Sequence, residues 1–202
     1  MSAEIRLATV ADAQAIVDIY GPFCDGTPTS FEVVAPAADD MAGRIARITA
    51  RLPWLVLDDD GAIAGYAYAS PHRERMAYQW AVDLAVYVHA DFRRFGVGRA
   101  LYTALFDLLR LQNYFRGYGG ITLPNPGSVG LHEAMGFTLV GVYRSVGYKL
   151  GAWHDVAWYA LSLQPDRLDP APPRPLAEVR DAPGWREALD RGLREYKGGA
   201  VL

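Results

Sequence analysis

The segment from Trp80 to Val88 restricts the fold more than any other stretch of this chain. Trp80, Val82, Leu84, Val86 and Val88 share one side of an extended backbone, and Ala81, Asp83, Ala85 and Tyr87 share the other. A strand that is apolar on both sides must be covered on both sides, so it belongs in the middle of a sheet with helices above and below. A glycine-containing loop follows it. Val97, Leu101, Ala104, Leu105 and Leu108 then mark one side of a helix expected over about 96–112. Strand, loop and amphipathic helix in that order predict an α/β (α+β) domain.

The rest of the chain fits that plan. Residues 4–8 alternate polar and apolar as a short first strand, and Thr9 stands three residues before Asp12 as a helix cap. A first helix is expected over roughly 10–20, an irregular loop from Gly21 to Pro36, and a second helix along Met41, Ile45, Ile48 and Leu52 that Pro53 stops. Trp54–Asp58, an Asp60-Gly61 turn and Ile63–Ala69 read as a hairpin. A strand over 118–123, a short helix near 127–135, and strands over 137–148 and 153–163 complete a domain of residues 1–163. Pro165, Pro170, Pro172, Pro173 and Pro175 mark 164–183 as a proline-rich linker. Residues 184–202 read as a C-terminal helix and tail, with Trp185, Leu189 and Leu193 on one face. That face could pack on the domain or on a partner chain.

Bulk properties narrow the function. The formal charge of −3 supplies no general pull toward nucleic acid or anionic membrane, so any bound anion must be held by local groups. One cysteine, Cys24, permits no intrachain disulfide and points to a reducing, cytoplasmic setting. With four scattered histidines beside it, no zinc-ligand spacing exists, and no metal is expected. The N-terminus lacks the apolar core of a signal peptide, and no run of roughly 18 apolar residues is present to span a membrane.

The sharpest local feature is Arg93-Arg94-Phe95-Gly96-Val97-Gly98-Arg99. Glycines let a tight loop aim several backbone N–H groups at one point, and the helix start adds unpaired donors and the positive end of its dipole. Such a loop holds a phosphate or pyrophosphate, to which Arg93, Arg94 and Arg99 add charge. Taken alone it could equally be a plain strand-to-helix turn. It is not a Walker loop, because no Gly-Lys-Ser/Thr follows. It is also a poor Rossmann loop, lacking the third glycine and the repeating βαβ frame.

Arg93-x-x-Gly96-x-Gly98 resembles the pyrophosphate-binding motif of the GNAT acetyltransferases, and the order of elements around it is similar to that fold. Further blocks resemble the phosphinothricin acetyltransferase family within it: Pro53-Trp54-Leu55-Val56, Gly65-Tyr66-Ala67-Tyr68-Ala69, Ala77-Tyr78-Gln79-Trp80, Val86-Tyr87-Val88, Leu123-Pro124-Asn125, Ser128-Val129, Leu131-His132-Glu133, Gly147-Tyr148-Lys149 and Trp153-His154-Asp155-Val156. The resemblance spans roughly residues 3–163. It implies the GNAT acyl-CoA N-acyltransferase fold, a central mixed, twisted sheet flanked by helices, and acetyl transfer from acetyl-CoA to phosphinothricin, methionine sulfoximine, methionine sulfone or a related amino acid, in a homodimer. It also implies that the backbone at Tyr87 and Val88 pairs with the pantetheine arm, that Phe95, Gly96, Val97 and Gly98 receive the pyrophosphate, and that Asn125 contacts the pantetheine through its amide.

An amine acceptor must lose a proton before it attacks a thioester. Asp83, a carboxylate among apolar neighbours on the central strand, is the expected proton acceptor, directly or through water. Its other reading is a buried Asp that ties down a loop amide or pairs with an Arg. The family usually carries Glu here, so this side chain is one methylene short. His132 matches a family histidine and stands where many GNAT enzymes have a Tyr that protonates the departing thiolate. Its plainer reading is a helix-surface histidine in a hydrogen bond. His72, His89 and His154 have weaker claims. Arg73 and Arg75 match basic family positions and suit the acceptor's carboxylate or sulfone oxygens, or else they only solvate a loop. Phe31, from Thr29-Ser30-Phe31, and Tyr78 are expected to line the acceptor pocket, although Phe31 could instead anchor the core. Leu150, where the family commonly has His, is a second departure. The residues alone leave open another amine, such as a polyamine or peptide N-terminus, and a CoA-binding sensor without turnover.

Overall fold

The computed structural model describes residues 3–198; residues 199–202 of the expected tail, and Met1 and Ser2, lie outside the described residues. Chain order gives β1 (Ala3–Leu7), α1 (Ala13–Asp25), α2 (Ala38–Thr49), β2 (Trp54–Asp59), β3 (Ala62–Pro71), β4 (Ala81–Val88) and α3 (Val97–Leu111). After these come β5 (Arg116–Thr122), α4 (Pro126–Ala134), β6 (Thr138–Lys149), β7 (Ala152–Ser162), α5 (Leu176–Val179) and α6 (Trp185–Leu193). The strands form one sheet in the order β1-β2-β3-β4-β5-β7-β6. Among the described residues only β4 and β5 run parallel, so the sheet is mixed and β4 lies at its centre.

The two faces of β4 sort as its sequence requires. Val82 and Leu84 face a core that includes Leu55, Leu57, Ala67 and the α3 residues Leu101, Leu105 and Leu108. On the opposite face, Ile16, Ile19 and Cys24 of α1, with Met41 and Ile45 of α2, pack against Trp54, Val56 and Tyr66. The β2–β3 turn has positive φ at both Asp60 (57°) and Gly61 (90°), the conformation that an Asp-Gly hairpin turn favours. Thr9 and Asp12 form the expected capping box, closing a single 3-10 turn before α1 begins.

Two expectations need correction. The first helix does not end near residue 20 but runs to Asp25, through Gly21 and Pro22. Pro22 removes one intrahelical bond, and burial of Cys24 together with packing of Phe23 on Tyr87 carries the helix onward. The stretch 164–183 is not a free linker. Trp80 Nε1 donates to the Ala171 carbonyl at 2.8 Å, and the fully buried Gln112 donates to the carbonyls of Arg51 and Arg174 at 2.8 and 2.9 Å. These bonds strap the segment across the domain, which proline composition alone does not reveal.

α6 packs on its own domain. Its Gly192 lies so close to α3 that a β-carbon there would stand 2.6 Å from the Ala100 carbonyl and 2.7 Å from Ala104 Cβ. α3 is therefore buried along more than the one side its periodicity marked, with Ala100 under α6 and Tyr102 toward α4. Among the described residues, no helix is long and apolar enough to cross a membrane.

Candidate active site

β4 and β5 pair only through Ala81–Arg116, Val82–Gly117 and Asp83–Tyr118, then diverge, although β4 continues to Val88 and β5 to Thr122. The divergence opens a slot of about 70 Å³ whose walls include Ala85, Val86, Tyr87, Gly120, Ile121, Thr122 and Asn125. β4 keeps its pairing with β3 along this stretch, so its backbone groups on the β5 side are left to a ligand that can act as an added strand.

Above the slot stands the glycine loop. Gly96 caps α3 in the left-handed region (φ 84°), a conformation that favours glycine. Gly98 lets the helix approach α4: a β-carbon there would lie 2.9 Å from a Leu131 methyl. Among the described residues, no acceptor faces the backbone N–H groups of Phe95, Gly96, Val97, Gly98 and Arg99. Arg93, Arg94 and Arg99 are exposed around this loop, so the donors, the helix dipole and the guanidiniums together form an anion cradle. The end of the chain backs it, because Lys197 N donates to the Phe95 carbonyl at 2.9 Å.

His132 reaches the same slot from α4. It is buried rather than on the helix surface, and its Nδ1 sits 2.8 Å from the Ser128 carbonyl. A carbonyl only accepts, so Nδ1 carries the hydrogen, and Nε2 accepts from Tyr102 Oη at 3.1 Å. Burial holds the His132 pKa below its ordinary value, against the Ser128 bond, which keeps the ring neutral. Burial also drives the Tyr102 phenol far upward, so it stays a proton-bearing donor on the slot wall. Asn125 caps α4 by accepting from Ser128 N at 3.1 Å through Oδ1, which leaves its amide nitrogen for the slot.

Asp83 lies on the other face of the sheet, that of α1 and α2. Burial raises its pKa, while the hydrogen bond from His72, 2.6 Å away, pulls it down. Its partner is thus neither a loop amide nor an arginine. His72, just beyond β3, stacks on Tyr118 (4.4 Å, 20°) and meets the edge of Tyr78 at 6.0 Å. The loop before α2 closes over this face. Lys149, buried at the end of β6, donates to the carbonyls of Ser30 (2.6 Å), Glu32 (2.8 Å) and Phe23 (3.3 Å). The Phe31 ring lies where a β-carbon on Gly147 would be. Along β3 a cavity of about 700 Å³ extends from Tyr66 to Ser70, the register partner of Asp83, beneath Arg44, Arg47 and Arg51 of α2.

A strand pair parting at Asp83, with a glycine cradle over the opening, is an acyl-CoA-binding geometry. Residues 5–158 match the model of the acetyltransferase (GNAT) domain. The chain belongs to the GNAT acetyltransferase family. This acetyltransferase is 40% identical over 176 residues to phosphinothricin N-acetyltransferase of Streptomyces viridochromogenes, covering 87% of this chain and 94% of that one. It is 35% identical to the L-methionine sulfoximine/L-methionine sulfone acetyltransferase of Pseudomonas paraeruginosa, covering 84% and 100%. The crystal structure of a GNAT superfamily phosphinothricin acetyltransferase from Sinorhizobium meliloti in complex with AcCoA superposes with a TM-score of 0.80. That pair is 33% identical, covering 85% of this chain and 94% of that one.

In the acetyltransferase, the residues singled out from sequence fall into three groups. Tyr87, Val88, Arg93, Arg94, Phe95, Gly96, Val97, Gly98, Arg99, Asn125 and His132 gather at the slot and its cradle. Asp83, Tyr78 and Phe31 lie on the opposite face, so Asp83 and His132 do not touch. Arg73 and Arg75 are exposed, and Arg73 donates to the His72 carbonyl at 2.8 Å. Sequence reasoning gave His72 only a weak claim and missed Tyr102, Lys149 and the α2 arginines. Tyr102 sits off the apolar stripe of α3, a weak signal that it has a partner other than the sheet.

Proposed function

We propose that this acetyltransferase transfers the acetyl group of acetyl-CoA to the amine of a small amino-acid-like acceptor of the phosphinothricin, methionine sulfoximine or methionine sulfone type, by direct attack in a ternary complex. The observation that carries the reading is the slot itself, with an anion cradle at its mouth and a carboxylate at its closed end. The activities for which the two relatives are named support the acceptor class.

Acetyl-CoA supplies the activated thioester. The protein's part is to hold both substrates in line and to handle protons. Backbone groups at Tyr87 and Val88 hold the pantetheine arm, with the Asn125 amide beside it. The N–H groups of Phe95 to Gly98 hold the pyrophosphate, with Arg93, Arg94 and Arg99 balancing its charge. As negative charge develops on the departing sulfur, the Tyr102 O–H leaves His132 Nε2 and donates to the sulfur instead. On the acceptor face, Asp83 supplies the negative charge that draws a proton from the acceptor ammonium. Arg73, Arg75, Tyr78 and Phe31 bound the acceptor there, the arginines suiting its carboxylate and its sulfone or phosphinate oxygens.

The functional unit in this reading is a cytoplasmic homodimer. Val140, Tyr143, Val146, Tyr148 and Trp153 are exposed on the outer β6–β7 hairpin, an apolar surface suited to a second copy.

The direct test follows CoA release from acetyl-CoA against L-phosphinothricin, L-methionine sulfoximine, L-methionine sulfone, unmodified amino acids and a polyamine. Saturable release with one of the first three is the expected result. Release with the polyamine alone would overturn the acceptor class. Acetyl-CoA binding without release for any acceptor would overturn the transfer reading.

A further inference from the structure

We propose that His72 is the base that takes the proton from the acceptor amine, with Asp83 holding its ring. This deepens the acetyl-transfer reading above and rests on it.

The geometry is that of a carboxylate–imidazole dyad. His72 Nδ1 lies 2.6 Å from Asp83 Oδ1. An ionised carboxylate only accepts, so Nδ1 carries the hydrogen and the Nε2 lone pair is the basic site. Among the described residues, Nε2 has no hydrogen-bond partner. The ring is fixed on three sides: stacked on Tyr118 at 4.4 Å, with the edges of Tyr78 at 6.0 Å and Trp158 at 6.3 Å. A carboxylate that fixes the tautomer of an imidazole and stabilises the imidazolium it becomes turns a modest base into a directed one.

The place of the dyad in the fold gives it this task. Asp83 and Tyr118 are the last paired residues of β4 and β5, so the imidazole, bonded to one and stacked on the other, stands where the slot begins. It lies on the face opposite Tyr102 and His132, which serve the leaving sulfur. Asp83 gives its Oδ1 to His72, and the imidazole, 12% exposed against 31% for the Asp83 side chain, is the more shielded from water of the two.

The proton and electron count is complete. The acceptor enters as R–NH3⁺ and gives one proton to His72 Nε2, which later passes it to solvent. The freed lone pair forms the C–N bond at the thioester carbonyl. The C–S bond breaks, its electron pair stays on sulfur, and the second proton on nitrogen goes to that sulfur as the amide and CoA thiol form.

The test compares wild-type protein with His72→Ala, His72→Phe and Asp83→Asn, using a panel acceptor and following CoA release. Calorimetry with acetyl-CoA checks that each variant remains folded. His72→Phe keeps a ring to stack on Tyr118 and removes the base. The expected result is a fall in kcat of about 100-fold or more in both His72 variants. Acetyl-CoA affinity should stay within about twofold, because the ring lies outside the cradle. Added imidazole should restore part of the activity of His72→Ala but none to His72→Phe, whose site is filled. Activity in His72→Phe within about threefold of wild type, or loss in His72→Ala without imidazole rescue, overturns the role of His72 and leaves acetyl transfer standing. Failure of the wild-type protein with every acceptor defeats the transfer reading itself, a separate outcome.

Discussion

Replacing Gly96 with alanine tests the cradle and the part of the chain that backs it. Gly96 has φ 84°, where an L-residue is disfavoured by about 1–2 kcal/mol. Its new methyl would stand 2.3 Å from the Glu195 carbonyl oxygen, about 1 Å short of ordinary contact. Loop and tail must separate, and the bond from Lys197 N to the Phe95 carbonyl at 2.9 Å is lost, at a net cost of about 1 kcal/mol. Together these come to roughly 2–3 kcal/mol, equivalent to a 30- to 150-fold change in an equilibrium constant. Because the φ strain sits in the loop, the expected outcome is an acetyl-CoA Kd raised at least about tenfold by calorimetry. The same substitution in a chain ended at Arg194 should be milder, since the carbonyl it strikes is gone, and the difference isolates the clash. A full-length Gly96→Ala protein with acetyl-CoA affinity within twofold of wild type, and an unchanged melting temperature, would refute both the cradle and its backing.

Tyr102→Phe removes the donor to His132 Nε2 and should lower kcat by about 100-fold while leaving acetyl-CoA affinity nearly unchanged; a kcat within threefold would remove Tyr102 from the chemistry. Lys149→Met leaves three carbonyls without their cation. It should cost about 3 kcal/mol, read as a melting temperature lowered by roughly 6–12 °C, with the acceptor KM raised more than that of acetyl-CoA. The Arg44 guanidinium, against burial and with help from Tyr20, holds the Glu32 carboxyl below its ordinary value of 4.5. Its contribution is therefore fully present above that pH and is lost as the pH falls through the lowered value. Thermal melts should show this acid-side loss in wild-type protein and less of it in Glu32→Gln. Val140→Asp with Tyr143→Arg should convert a dimer to a monomer by light scattering after gel filtration; a protein already monomeric at micromolar concentration would defeat the dimer reading.

Much of the architecture was legible because its determinants are local. The two-sided apolar pattern of Trp80–Val88 placed β4 at the centre of the sheet, and Asp60-Gly61 named its own turn. The spacing of Arg93, Gly96 and Gly98 against a helix start marked the cradle. These features depend on backbone conformation and on which side of an element a residue occupies, and both repeat along the chain with fixed periods. The helix that runs on through Gly21 and Pro22 shows the limit of that logic, since packing on Tyr87 overrides local breakers.

What the sequence by itself determined, then, is the fold class, the position of the central strand and the glycine loop at the start of α3, because each is written within a dozen consecutive residues. Only the tertiary structure decided which side chains meet. It separated Asp83 from His132 across the sheet and gave each a partner, His72 for one and Tyr102 for the other. It also tied a proline-rich stretch to Trp80 and Gln112, packed the C-terminal helix on α3 and set the residues after that helix against the glycine loop. Contacts between residues far apart in sequence depend on register and on the angle of packed elements, and no periodic pattern in a single chain encodes those.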